Sequence, residues 1–191
     1  MFDSGLRKVI NYEKAYRKNR LDGAHWVLAH PETLRELLTY IFKDSTALSH
    51  KAAWVLEFVF LEKPESLYSH LDFFFQHLAS VEKDQILRPC ANICEKLAIT
   101  YYKKKDVLLM GHFTANHKDV MTECSFDWLI SDQKIACQAR AMTALFFLGT
   151  EFDWIHSELK QIIERNIHDG SAGYKARGRS IITQIESFQK H

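Results

Sequence analysis

The stretch Gly170-Ser171-Ala172-Gly173-Tyr174-Lys175-Ala176-Arg177-Gly178-Arg179-Ser180 has the residue types of an anion site: small residues lead into a helix, and three cations follow within five positions. Unbonded N–H groups at a helix start, with Lys175 and Arg179 nearby, would hold a small anion. Other chemistry is sparser. The histidines fall neither in His-Glu-x-x-His nor in His-x3-His spacing, and the pairs His25/His30 and His112/His117 stand five apart, which a helix does not stack on one face. Cys90, Cys94, Cys124 and Cys137 contain no Cys-x-x-Cys pair and read as reduced core thiols. Two Phe-Asp-Trp segments, 126–128 and 152–154, look like a duplicated site but read as aromatic packing. No Ser/His/Asp order and no phosphate loop can be argued, so no catalytic residue, metal or cofactor is assigned.

The elements that must position these residues are helical. Only 7 glycines and 3 prolines punctuate 191 residues, which leaves little material for hairpins, and apolar residues recur at three and four, as in LRELLTYIF and LKQIIERNI. The pattern predicts an all-α protein of about ten helices. Pro31 and Pro64 open helices, Ser49 precedes another, and Gly149 and Gly170 close two more. Pro89 fits only if its helix begins at about Arg88, where a missing N–H costs nothing. A break is expected near Asp22-Gly23.

Lys and Arg number 25 against 24 Asp and Glu, which excludes a global electrostatic footprint for nucleic acid or anionic lipid. The opening MFDSGLRKVINYEKAYRKN does not have the pattern of a signal peptide, and no apolar run reaches membrane-spanning length, so a cytoplasmic chain without membrane contact is expected.

Internal repetition arranges the helices. Ala139-Arg140-Ala141-Met142-Thr143 recurs 37 residues later as Ala176-Arg177-Gly178-Arg179-Ser180, and the same basic position appears at Lys51 and Arg88, again 37 apart. From Arg88 to Arg140 the interval is 52, and the surplus falls on YYKKKDVLLMGHFTAN. An acid precedes each base: Asp44 before Lys51, Asp84 before Arg88, Asp132 before Arg140 and Asp169 before Arg177. This pattern resembles HEAT-like (ARM-type) repeats, antiparallel helix pairs with an Asp in the turn and a base early in the second helix. The resemblance implies an α-α superhelix in which these eight residues form a structural ladder between neighbouring repeats. The whole chain, 1–191, then reads as one repeat domain: capping helices over 1–30, pairs over 31–62, 64–102, 114–149 and 152–189, and an insertion over 103–113. Within the insertion Val107-Leu108-Leu109-Met110 is expected to pack, since four exposed apolar residues invite aggregation.

The ladder answers the opening question, because it makes Arg177 architectural and Ser171-Ala172-Gly173 a helix cap. The same stretch has a faint likeness to the mobile loop of the fumarase and adenylosuccinate lyase superfamily, with Gly170, Ser171 and Lys175 matching, Gly173-Tyr174 replacing Met-Pro and Arg177 replacing Asn. Those enzymes build a site from several hundred residues and three chains, so adenylosuccinate lyase activity is not expected. The favoured reading is a non-enzymatic scaffold that binds a protein or peptide on a concave face, with Trp54, Glu57, Asn92, Glu95, Lys175 and Arg179 as partner contacts. The alternative is nucleic-acid binding or base excision, as in the HEAT-like DNA alkylation repeat glycosylases; Glu57 and Glu95 on the same face would repel phosphates.

Overall fold

The computed structural model of the chain describes residues 5–44, 46–131 and 133–190. It is all-α, with eleven α-helices and no strand among the described residues. Contacts divide the chain into two compact units, residues 1–93 and 94–191. No helix among the described residues is long and apolar enough to cross a membrane.

The first unit holds α1 (Leu6–Ile10), α2 (Arg17–Ala29), α3 (Leu34–Lys43), α4 (Leu48–Glu62) and α5 (Leu71–Leu78), together with the start of α6 (Asp84–Ala98). Pro31 and Pro64 each open a 3-10 turn leading into α3 and α5, where a fixed φ is useful and the absent N–H is not missed. Leu37, Leu38, Phe60, Phe74 and Phe75 fill the core. Two boundaries differ from expectation. Gly23 does not break the chain but lies inside α2, where a Cβ would stand 3.0 Å from Val55 Cγ2; the missing side chain lets α2 lie close against α4. Likewise α6 starts at Asp84, leaving Pro89 inside it, because Ile86 and Leu87 already donate their N–H groups to the Lys83 carbonyl and close the first turn upstream.

The second unit continues from α6 into a π-helical turn, Ile99–Lys104, and then comprises α7 (Val107–Met110), α8 (Ala115–Ile130), α9 (Ile135–Leu148), α10 (Asp153–Asn166) and α11 (Ala172–Phe188). Lys105 ends the π turn at φ 53°, a left-handed position more often given to glycine. Thr114 and His117 form a reciprocal capping box that starts α8. Between α9 and α10, Gly149 sits against the buried His156 imidazole, whose Nε2–H donates to the Phe146 carbonyl at 2.8 Å; a Cβ at 149 would overlap that ring. Met142, Leu145, Leu159, Ile163 and Ile181 form the core. The four cysteines are buried and carry free thiols.

Candidate functional site

Within each unit, polar side chains link helices that are not neighbours in sequence. In the first unit the Arg20 guanidinium lies 4.0 Å over the Trp54 ring, tying α2 to α4, and Asn92 Nδ2 donates to Glu57 Oε1 at 2.7 Å, tying α6 to α4. In the second unit Arg140 Nε lies 3.9 Å from Glu95 Oε2, and Arg177 Nη1 donates to Thr143 Oγ1 at 2.9 Å, joining α11 to α9. Each link joins side chains 34 to 45 residues apart in sequence. A packed helix face leaves few partners for a polar group except another polar group on the neighbouring helix.

These links engage four of the residues expected to meet a partner. Asn92 and Glu95 are buried, contrary to the expectation that they face away from the core; Asn92 bonds to Glu57 on α4, and Glu95 lies beside Arg140 on α9. Trp54 and Glu57 are half-buried against Arg20 and Asn92. Lys175 is half-buried and Arg179 exposed, both on α11. The ladder residues also have definite places. Lys51 Nζ donates to the Tyr12 carbonyl at 2.7 Å and to Asn11 Oδ1 at 3.3 Å, closing the end of α1, while the Asp44 carboxylate accepts the Thr46 N–H within its own turn. Arg140 on α9 reaches Glu95 on α6, and Arg177 on α11 reaches Thr143 on α9. Arg88 is exposed on α6, Asp84 is the first residue of that helix, and Asp169 is exposed before α11. Asp132 lies outside the described residues.

At the Gly170–Ser180 stretch, Ser171 Oγ accepts the Tyr174 N–H and caps α11. A cavity of about 460 Å³ opens beside it, lined by Gln133, Lys134, Asn166, Asp169 and Tyr174 among others. None of Lys175, Arg177 and Arg179 lines it, so the three clustered cations do not converge on the loop.

One densely bonded polar cluster has no counterpart among the site residues singled out from the sequence. Lys118 on α8 is buried, and its ammonium donates to Tyr101 Oη at 3.0 Å and to the two Glu151 oxygens at 2.9 and 2.7 Å; Tyr102 Oη donates to Glu151 Oε2 at 2.7 Å. The ammonium also lies 4.3 Å from the Tyr101 ring centroid. The wider π turn brings consecutive residues 101 and 102 to the same pair of charges. Burial alone would lower the Lys118 pKa, but bonds to Glu151 and Tyr101 outweigh it and hold the amine protonated above its usual range. Burial would raise Glu151, yet the Lys118 and Tyr102 bonds keep its carboxyl below the ordinary value. Tyr102 is pushed well up by burial and by its bond to Glu151. Lys118 stays protonated and Glu151 ionised near neutrality, so their bonds clamp α8, the π turn and the α9–α10 turn together. A lysine amid an amphipathic helix and a glutamate in a turn, 33 apart, carry no periodic signature; the Tyr101-Tyr102 pair was the only local hint.

The insertion also departs from expectation. Asp106 Oδ1 accepts the Leu109 N–H at 2.7 Å and winds one short turn, α7. A single turn can present only one side inward: Leu109 is fully buried, while Val107 is 82% exposed and Leu108 and Met110 stand in water beside exposed Lys103, Lys104 and Lys105. Comparison with protein-family models, with curated proteins and with solved structures finds no significant match to this chain.

Proposed function

We propose that the chain is a HEAT-like helical-repeat scaffold, without catalysis of its own, that binds a protein or peptide. Polar links between helices support the repeat: polar groups on α4, α6, α9 and α11 each engage a helix that is not their neighbour in sequence. The observation that carries the binding reading is α7, which holds Val107, Leu108 and Met110 in water on a folded framework whose Asp106 cap and buried Leu109 fix them in place. A partner covering them would remove apolar surface from water at little ordering cost. Lys175 and Arg179 on α11 are accessible as further contacts.

The test is a pull-down from native extract with the immobilised full chain and with a Val107→Asp/Leu108→Asp variant. A protein recovered in stoichiometric amount by the first and lost by the second supports the reading. Recovery of nucleic acid in place of protein would favour the alternative. In parallel, chymotrypsin should cut the free chain at Leu108, and the partner should suppress that cut.

A further inference from the structure

The two Phe-Asp-Trp segments, 26 residues apart, meet in space. Phe126 of the first, on α8, stacks on Trp154 of the second, at the start of α10, with ring centroids 5.8 Å apart and planes 24° from parallel. The segments use their tryptophans oppositely. Trp128 is buried in the core of the second unit, whereas Trp154 is 58% exposed. An indole held against a second ring, with much of its surface in water, is a rigid platform that needs little ordering to bind.

Exposed acids flank both rings in sequence. Glu123 and Asp127 stand three residues before and one after Phe126, and Asp153 and Glu158 stand one before and four after Trp154; all four are exposed. On a helix, spacings of three and four put Glu123 on the face of Phe126 and Glu158 on the face of Trp154, while Asp127 and Asp153 flank the two rings in sequence. None of the four carboxylates is ion-paired among the described residues. The lysines on the same two helices are engaged elsewhere: Lys118 of α8 is buried on Glu151, and Lys160 of α10 pairs with Glu164 and Glu186. The field also registers on a neighbour, since the Cys124 thiol is pushed up to about 12, first by burial and then by Asp127 and Glu123.

We propose that the Phe126–Trp154 stack and its rim of Glu123, Asp127, Asp153 and Glu158 form a docking surface for an arginine- or lysine-bearing peptide segment of a partner protein. A guanidinium or ammonium laid on the indole face gains the cation–π attraction, which is strongest for tryptophan, while the carboxylates bind neighbouring cationic side chains and steer the approach. The complementarity of sign selects the occupant: an acidic peptide or a nucleic-acid backbone would be repelled here. This surface shares no residue with α7, and neither reading requires the other.

The experiment uses the full chain and a fluorescein-labelled eight-residue peptide of alternating arginine and serine, followed by anisotropy, with a glutamate–serine peptide as control. Saturable binding of the arginine peptide only is expected, weakened about tenfold by Trp154→Ala and retained in Trp154→Phe. The double variant Glu123→Gln/Asp127→Asn should weaken it as well and flatten its salt dependence. Val107→Asp/Leu108→Asp should bind the peptide unchanged, which separates this surface from the α7 reading. Three results would each overturn the proposal: no binding, equal binding by Trp154→Ala with an unchanged circular dichroism spectrum, or occupation of the surface by a second copy of the chain, seen as concentration-dependent self-association abolished by Trp154→Ala.

Discussion

Two charged regions of the second unit are built from similar residues and end in opposite conditions. Around Lys118 each charge has a partner: the ammonium donates to three oxygens, and Glu151 accepts from Lys118 and Tyr102. Around Trp154, four carboxylates and a stacked indole face water, and no cation answers them within the described residues. Both regions combine aromatic rings with acids. The difference is one buried lysine. Where the chain supplies the cation, the aromatic–acid cluster becomes a clamp; where it does not, the cluster is a socket for a cation from elsewhere. Matched charge contributes to the fold, and unmatched charge detracts from it slightly through self-repulsion while remaining available to a ligand.

The largest effect should come from emptying the clamp. Glu151→Ala leaves the Lys118 ammonium buried with Tyr101 as its remaining acceptor in the cluster, and should cost about 2–3 kcal/mol in denaturant melts. That is below the usual cost of breaking a fully buried pair, because the Glu151 side chain is 39% exposed and the lysine can recover some water. Lys118→Met should cost less, since Glu151 can then hydrate. A reversed order would mean that Lys118 is not held as described and would erase the contrast between the regions.

Next in size is Arg140→Ala, which removes the guanidinium beside the buried Glu95 carboxylate and should cost about 1–2 kcal/mol. An unmoved midpoint would remove that link between α6 and α9.

Acid titration sharpens the comparison further. The folded Glu151 pKa is depressed, so its contribution is complete above the unfolded value of about 4.5 and is lost as pH falls through the lower folded value. Lys118 has a raised pKa and loses its contribution only as pH rises past 10.5. Glu151→Ala should therefore flatten the acid limb of stability against pH measured by urea melts. Substituting Glu123 and Asp127 should leave the Glu151-dependent part of that limb in place.

Smallest is the socket itself. Glu123→Gln/Asp127→Asn should raise stability by no more than about 0.5 kcal/mol, by relieving repulsion between like charges four apart on α8. A loss of more than 1 kcal/mol would show that those acids have partners in the fold and are not free to bind a peptide.

Much of the helical layout was legible from single residues whose effect is local. Pro31 and Pro64 fix φ wherever they stand, Ser171 caps α11, and Gly149 ends α9. Pro89 and Gly23 misled for a shared reason. Each has a local preference against helix interiors, and in each case surrounding bonds or a close-packed neighbour override it. The insertion was visible as surplus length, but the orientation of its apolar residues was not, because a single turn has no periodicity to read.

By itself the sequence determined that the chain is helical and where most helices start and stop, since capping, backbone preference and apolar spacing act within a few residues. Only the tertiary structure decided which polar side chains meet. Lys118 and Glu151 are 33 residues apart, Phe126 and Trp154 are 28, and nothing within a turn of any of them encodes the encounter. Packing sets it, and packing also settled that one tryptophan of the duplicated segment lies in the core while the other stands in water.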